Sequence, residues 1–162
     1  MRTFILSFSL SIIMSTSITA QEFVKFSHTV STHASPKSIW NIWTDVANWD
    51  EWDTGLKSAS LKGAFKQGAK GKLIPDEGPK SKFKITELKE GKSYTFRTRI
   101  PFGALIIRRS LIIQNGMTHF THEVEFTGWF KKTFAKRFGK RYKEMLPSVM
   151  ENIKQIAEKE MP

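Results

Sequence analysis

The chain contains no cysteine among its 162 residues. This absence excludes disulfide bonds and thiolate metal sites, and it is compatible with any redox compartment. Acidic residues are scarce, because 15 Asp and Glu stand against 26 Lys and Arg, which gives a formal net charge of +11. This charge favours anionic surfaces or ligands without identifying one. The sequence also lacks a Ser-His-Asp order, a phosphate-binding glycine loop and paired carboxylates on a plausible inner face, so it offers no support for those catalytic sites.

The first twenty residues have the layout of a secretory signal peptide. Arg2 is their only charged residue, an apolar and serine-rich run extends from Phe4 to Met14, and the small residue Ala20 ends the segment. The run is too short to span a bilayer, and no cysteine is present for a lipoprotein anchor. We therefore expect cleavage after Ala20, export to the periplasm or the medium, and a mature domain at residues 21–162. An uncleaved anchor and a disordered tail are the alternatives.

Four of the five tryptophans lie within residues 34–53. They form two groups at helical spacing: Trp40 and Trp43, then Trp49 and Trp52. Ser35 is a favourable N-cap for a helix that begins at Pro36, because the missing N–H of proline costs nothing there. The spacing predicts two short helices with an aromatic face. We expect Trp40 and Trp43 to anchor the first helix on a sheet and Trp52 to stand at the mouth of a cavity.

Alternation of apolar and polar residues predicts one strand before these helices and several after them. The predicted strands are residues 24–32, 57–62, 71–75, 82–88, 93–100, 105–113 and 118–127. Glu90-Gly91 and Asn115-Gly116 are typical of hairpin turns. With no repeat and no long linker, the pattern indicates one α+β domain with a mainly antiparallel sheet of about six or seven strands.

The end of the chain, from Trp129 to about Lys159, carries an apolar stripe at helical spacing. It predicts one long amphipathic helix, kinked at Pro147 because proline removes a backbone hydrogen bond. A single helix laid across the concave face of a bent sheet rarely fills the space beneath it. We therefore expect an apolar cavity between sheet and helix, which is the usual setting of a small-molecule site.

The tryptophan block resembles the start of the START-like SRPBCC superfamily; it reads ASPKSIWNIWTDVANWDEWD. Later segments resemble the polyketide cyclase/dehydrase and lipid transport branch of that superfamily; they read KGAFKQGAKGKL, FKITEL, THEVEFTG and FAKRFGKRYKEMLPSVMENIKQIAE. The resemblance covers about residues 23–158. It implies a helix-grip fold, in which a curved sheet grips the C-terminal helix around an internal cavity. It does not imply one chemistry, because relatives include carriers, receptors and enzymes.

The phase of the last predicted strand places Phe120, His122, Val124 and Phe126 on one face, which we expect to face the long helix. His122 would then act as a general acid or base, or as a hydrogen-bond donor to a ligand carbonyl. The alternative is a neutral core histidine bonded to a backbone carbonyl. The candidate ligand-binding residues are Trp52, Phe83, Phe96, Thr98, His122, Val124, Phe134 and Met150.

The same alternation predicts which charged side chains near the cavity face inward and which face solvent. Arg97 and Arg99 should face solvent, whereas one member of the pair Arg108 and Arg109 should face inward and favour a carboxylate or enolate ligand. Both faces of that strand are apolar, so the sequence leaves open which arginine it is. The acidic neighbours Asp50, Glu51 and Asp53 read as the solvated side of an aromatic helix.

Metal binding is not expected. His119 and His122 leave opposite faces of one strand, so they cannot share an ion. His28 would converge with His122 only if their strands adjoined, and no third ligand is identified. We expect neither a metal nor a cofactor.

The predicted C-terminal helix has a strongly basic face. Its cations are Lys131, Lys132, Lys136, Arg137, Lys140, Arg141 and Lys143. A solvated face is the first interpretation. The second is approach to an anionic membrane, at about 1 kcal/mol per cation close to the surface. No stacking platform accompanies the cations, so nucleic acid is not expected.

Two functions fit these features. The favoured one is an exported, monomeric binding protein that holds a hydrophobic or amphipathic ligand, lipid-like or polyketide-like, between the sheet and the helix. The alternative is an enzyme of the cyclase, dehydratase or hydrolase type that uses the same cavity, with His122 moving protons. Binding is preferred because the predicted inner faces offer isolated polar residues without an obvious partner.

Overall fold

The computed structural model describes residues 22–159. Within them, seven antiparallel strands form a curled sheet in the order β1-β7-β6-β5-β4-β3-β2. The strands are β1 Lys25–Thr32, β2 Leu56–Leu61, β3 Lys70–Pro75, β4 Ser81–Lys89, β5 Ser93–Ile100, β6 Gly103–Gln114 and β7 Met117–Gly128. Register shifts in the β2–β3 and β4–β5 pairs mark bulges, which bend a sheet. Neighbours in the sheet are neighbours in the chain except β1, which pairs with β7.

Two short helices connect β1 to β2, as predicted. They are α1, Pro36–Thr44, and a 3₁₀ helix, Val46–Glu51. The Ser35 hydroxyl accepts a hydrogen bond from the Ser38 N–H at 3.1 Å, and Pro36 occupies the first turn of α1. The N-cap assignment is therefore confirmed, because the side chain satisfies a backbone donor that the helix leaves free.

The C-terminal helical region begins two residues later than predicted, at Lys131. It consists of α2, Lys131–Phe134, a π-helical segment, Ala135–Gly139, and α3, Lys140–Lys159. Trp129 lies outside it because Gly128 adopts a φ of +95° and the Trp129 N–H donates to the Phe102 carbonyl at 3.2 Å. α3 is helical on both sides of Pro147, and the kink predicted there stays a prediction.

Gly139 brings the π-helical segment close to the first and last strands. A Cβ atom at this position would lie 2.6 Å from the Phe23 carbonyl oxygen and 3.2 Å from the Phe126 ring. Any larger residue would push the helical region away from the sheet. The bare backbone therefore seats the start of α3 on the edge of the sheet formed by β1 and β7.

The core lies between the inner face of the sheet and the helices, with α3 against β1 and α1. The inner residues of β7 are the four predicted from the alternation, Phe120, His122, Val124 and Phe126, and all are at most 3% exposed. Asn115 and Gly116 have φ of +53° and +74°, as a two-residue hairpin turn requires. The chain thus has the α+β, helix-grip architecture expected from its sequence.

No helix within residues 22–159 combines the length and the hydropathy needed to cross a membrane. The predicted signal peptide, residues 1–20, lies outside this described part of the chain.

Candidate functional site

Two adjacent arginines of β6 leave the sheet on opposite faces. Arg108 lies on the outer face, where its Nη1 is 2.7 Å from an oxygen of Glu123 and 2.6 Å from one of Glu125. Arg109 points inward and is 1% exposed. The choice that the sequence left open is therefore settled in favour of Arg109.

The Arg109 guanidinium lies in an aromatic box. Its central carbon is 4.8 Å from the ring centre of Trp49 and 4.7 Å from that of Trp52. The rings of Tyr94 and Phe96 stand at 5.6 and 5.7 Å. Each desolvated cation–π contact is worth up to about 2 kcal/mol. The box holds the guanidinium in position without neutralising its charge.

Within residues 22–159, no carboxylate oxygen lies within 4.0 Å of the Arg109 guanidinium. Asp53 is buried close enough to interact with its charge. Burial raises the pKa of Asp53, while the Arg109 charge and the Gly55 N–H, which donates to Asp53 Oδ1 at 3.1 Å, oppose the rise. A buried cation without a contacting counter-ion is costly, and such groups are typical of binding and catalytic sites.

His122 and the two tyrosines complete a polar chain, which we call the polar centre: Tyr94, Arg109, His122 and Tyr142. The first three are buried, and Tyr142 is half-buried. Arg109 Nη1 donates to Tyr94 Oη, and Arg109 Nε donates to His122 Nδ1 at 3.4 Å. Because guanidinium nitrogens only donate, Nδ1 must accept, and the ring proton resides on Nε2. Nε2 therefore donates to Tyr142 Oη, at 3.3 Å.

Burial sets the protonation states of this centre. Burial, assisted by the Arg109 charge, lowers the pKa of His122 well below 6.5. Burial raises the pKa of Tyr94 to about 12 and raises that of Tyr142 further. At neutral pH the imidazole and both phenols are therefore uncharged, and Arg109 carries the positive charge of the centre.

Two inward polar atoms have no hydrogen-bond partner among the described residues. They are the Trp52 indole Nε1–H and the Thr98 hydroxyl; the indole N–H of Trp43, on α1, is a third buried atom without a partner. A buried polar group without a partner costs about 1–3 kcal/mol. The Trp52 ring also lies against the Arg109 guanidinium, so its unpartnered indole N–H belongs to the surroundings of the same charged group. Together the guanidinium and this N–H suit an anionic oxygen group.

The remaining predicted lining residues divide into two sets. Phe83, Phe96, Val124 and Met150 are at most 3% exposed and belong to the core. The Phe83 and Phe96 ring centres are both 5.5 Å from that of Trp49. Phe134 is half-buried and stacks on Phe138 at 6.3 Å.

Trp52 does not stand at a cavity mouth, contrary to expectation. It is 1% exposed, because the 3₁₀ geometry of residues 46–51 brings positions three apart, Trp49 and Trp52, onto the same inward side. The prediction that Asp53 lies on the solvated side of the helix is also wrong, because Asp53 is only 6% exposed. Asp50 and Glu51 are exposed as expected.

Trp49 and Trp52 pack against the Arg109 guanidinium at the polar centre. Partial exposure of Leu105 and Phe134 shows that the sheet–helix interface approaches solvent towards the β5–β6 turn. Two surface concavities, of about 810 and 480 Å³, lie elsewhere, on the outer face of β2–β5 and beside α1. The internal cavity thus stays a prediction, and the polar centre defines the candidate site.

Tyrosine, which is rare in this chain, could have identified more of the polar centre from the sequence. The chain has only two tyrosines, and both contribute their hydroxyls to the polar centre. The β1–β7 register places His28 opposite His122. Even so, no three His, Cys, Asp or Glu side chains gather as metal ligands within residues 22–159.

A family model described as polyketide cyclase/dehydrase and lipid transport matches residues 24–158. No curated protein matches the chain significantly. Among solved structures, protein MLL2253 from Mesorhizobium loti is 16% identical, with a TM-score of 0.66, and the match covers 85% of this chain and all of that one.

Two other similar structures have named activities or ligands. The di-domain aromatase/cyclase StfQ of the steffimycin biosynthetic pathway is 8% identical with a TM-score of 0.68, over 84% of this chain and 51% of StfQ. Norcoclaurine synthase from Thalictrum flavum, solved with dopamine and hydroxybenzaldehyde, is 13% identical with a TM-score of 0.64, over 100% of this chain and 99% of the synthase. At these identities the likeness shows the fold alone.

Proposed function

Because the chain belongs to the polyketide cyclase/dehydrase and lipid transport family, we propose that it binds an amphipathic small molecule whose anionic group faces Arg109. The observation that carries this proposal is the buried guanidinium, which no carboxylate of the described chain contacts within 4.0 Å. A carboxylate or enolate would supply the missing charge and accept paired hydrogen bonds from the planar guanidinium.

The surroundings of Arg109 support an amphipathic rather than a fully polar ligand. The Trp52 N–H has no partner among the described residues and would donate to the same anionic group, and the guanidinium is surrounded by aromatic rings. Leu105 and Phe134 continue the apolar lining towards solvent. The ligand would therefore place its charged group at the polar centre and its apolar body along the sheet–helix interface.

A pair of probes that differ only in the head group tests the proposal. We expect dodecanoate to bind at least about tenfold more tightly than dodecanol in calorimetric titrations, because a charge-assisted hydrogen bond contributes about 1.5–3 kcal/mol. Arg109→Met should abolish the preference. Arg108→Met is the matched control, since it removes the same charge from the outer face, and it should keep the preference. Equal affinities for the two probes in the wild-type protein would refute the anionic-head proposal.

A second candidate function is acid–base catalysis in the same site. The contact between His122 Nε2 and Tyr142 Oη, at 3.3 Å, favours it, because a neutral imidazole and a phenol form a pair that can move a proton. Under this proposal the chain acts as a cyclase, dehydratase or hydrolase. His122→Ala would then abolish turnover and retain ligand binding, whereas loss of binding alone would indicate a carrier.

We also propose that the protein is exported after cleavage at Ala20, as the layout of its first twenty residues suggests. The mature chain would begin at Gln21 and keep all its basic residues except Arg2. The N-terminal sequence of the protein isolated from its own host tests this directly. A chain that begins before residue 15 would contradict it.

A further inference from the structure

Three exposed aromatic residues meet at one end of the sheet, where the β5–β6 turn crosses the β7–α2 connection. We call them the aromatic apex: Phe102, Trp129 and Phe130, which are 75%, 92% and 47% exposed. The Phe102 and Phe130 ring centres are 5.5 Å apart. Apolar residues on a free surface are usually scattered singly. A cluster of exposed aromatic rings is therefore typical of an interaction site.

The backbone holds these rings outward at a cost. Phe102 adopts a φ of +55°, in the left-handed region that bulky residues avoid, and such strain costs about 1–3 kcal/mol. A Cβ atom on Gly103 would collide with the Thr127 carbonyl, and one on Gly128 with the Phe102 carbonyl. The two glycines therefore allow the connections to cross in contact. The exposure of the apex is built into the fold.

Basic residues without acidic partners flank the apex on its helical side. Of the seven cations predicted to form one basic face, three are paired: Lys140 with Glu144, Arg141 with Asp76 and Glu77, and Lys143 with Glu22. The four nearest the apex in sequence are Lys131, Lys132, Lys136 and Arg137. Among the described residues, none of these four has a carboxylate within 4.0 Å. The free charge therefore concentrates beside the aromatic rings.

A second basic field lies on the sheet side. On the outer face of β3–β5, Lys72 stands opposite Lys82, and Lys84 stands opposite both Lys70 and Arg97. Arg99 follows on the same face, three residues before Phe102. Like charges placed directly opposite each other destabilise a sheet. None of these six cations has a carboxylate within 4.0 Å in the described chain, and all six line the 810 Å³ concavity.

We propose that this end of the molecule docks on the surface of an anionic phospholipid bilayer. Aromatic rings favour the interfacial zone of a membrane, where an apolar body and a polar edge are both satisfied. The flanking cations would face lipid phosphates, which relieves the repulsion among them. The rings project from a turn, whereas aromatic platforms for nucleic acid lie within the basic groove. A bilayer therefore fits the arrangement better than a nucleic acid does.

Docking here would place the solvent-facing end of the sheet–helix interface against lipid. Leu105 is two residues beyond Gly103, and Phe134 is on the helix that follows the apex. Exchange of an amphipathic ligand with the membrane rests on the function proposed above. Docking itself does not, and it is measured with ligand-free protein, so the two proposals can fail independently.

Trp129 provides a direct signal. It is 92% exposed, whereas Trp43, Trp49 and Trp52 are at most 1% exposed and Trp40 is half-buried against the core, so a change in emission on docking reports chiefly on Trp129. Vesicles of phosphatidylcholine with 30% phosphatidylglycerol should shift the emission to shorter wavelength, and brominated lipids should quench it. Vesicles of phosphatidylcholine alone should do neither. Trp129→Phe should abolish the shift but retain sedimentation with the anionic vesicles.

Paired variants test the two components separately. Phe102→Ser with Trp129→Ser should abolish sedimentation, whereas Ile112→Ser with Ile113→Ser, which removes two exposed apolar residues at the opposite end of the sheet, should not. Lys131→Glu with Lys132→Glu should weaken binding at least about 20-fold, from roughly fivefold per cation lost. Lys89→Glu with Lys92→Glu, an equal charge change at the opposite end, should have a much smaller effect.

Three results would overturn the proposal. One is an unchanged Trp129 emission with anionic vesicles. Another is an equal loss of sedimentation in the apex variants and their controls. The third is tight binding of a single-stranded DNA oligonucleotide that competes with the vesicles and survives Phe102→Ser with Trp129→Ser, because the basic fields would then bind polyanions without the aromatic apex.

Discussion

Replacement of Arg109 by methionine should abolish ligand binding with little or no loss in the free energy of unfolding. The guanidinium is 1% exposed and has been removed from water without a contacting carboxylate in the described chain. Desolvation of such a charge costs several kcal/mol. Methionine is an unbranched apolar side chain of similar volume, although it is shorter than arginine, and the space between Trp49 and Trp52 is already apolar.

The expected change in the free energy of unfolding follows from the hydration that the guanidinium loses on burial and the contacts that it gains. Its hydrogen bonds to Tyr94 and His122 and its two closest cation–π contacts offset much of the desolvation. Replacement of buried ions by apolar residues of similar volume ranges from neutral to about 1–4 kcal/mol stabilising. Tyr94 Oη keeps the Trp43 carbonyl as an acceptor at 3.3 Å, so the substitution does not strand it. Asp53 loses the nearby positive charge, but burial raises its pKa, so it can take up a proton instead of remaining a buried anion. We therefore expect Arg109→Met to be as stable as the wild-type protein or more stable.

Urea unfolding at pH 7 measures this directly, with Arg108→Met as the control. The control removes exposed ion pairs to Glu123 and Glu125 and should cost no more than about 1 kcal/mol per pair. A loss of more than about 3 kcal/mol in Arg109→Met would refute the reasoning. It would show that Arg109 is a satisfied structural ion and that no ligand charge is needed to complete its surroundings.

Two further predictions concern pH and packing. The folded-state pKa of His122 lies below its unfolded value of 6.5, so its contribution to stability is present above pH 6.5 and is lost as the pH falls. The stability difference between the wild-type protein and His122→Asn should shrink by about 1.4 kcal/mol per pH unit below 6.5 in urea unfolding, and a constant difference would contradict burial of a neutral ring. Gly71→Ala should lower the free energy of unfolding by about 1–3 kcal/mol, because its Cβ would overlap the Phe83 ring and the Ser60 carbonyl oxygen. Ser60→Ala is the control. Equal free energies of unfolding for the two variants would contradict the close packing at Gly71.

The fold was predictable wherever the alternation was strict. In β7 every second residue is apolar or aromatic around His122, so the inner face followed directly from the phase. The Asn115-Gly116 turn likewise fixed the β6–β7 hairpin. The start of the C-terminal helix was missed because Trp129 and Phe130 fit its apolar stripe. Instead, β7 ends at Gly128 with a positive φ, and this backbone conformation depends on a tertiary contact with Phe102.

The polar centre was less predictable for two physical reasons. β6 has apolar residues on both faces, so the pattern alone could not show that Arg109 rather than Arg108 points inward. Asp53 follows two exposed acids, yet it lies beyond the end of the 3₁₀ helix, where the Gly55 N–H and the Arg109 charge accommodate it. Composition offered one unused signal, because both tyrosines of the chain belong to the centre.

Several departures from ordinary folding rules lie on β6 or next to it. The guanidinium of Arg109 is buried on this strand, against Trp52, whose indole N–H has no partner among the described residues. Phe102, with its strained backbone, immediately precedes the same strand at the surface. Stability alone would select against each feature, and natural proteins retain such features mainly at functional sites. Their alignment from core to surface is what a protein would need to take an amphipathic anion from a membrane and hold its charged group in the interior.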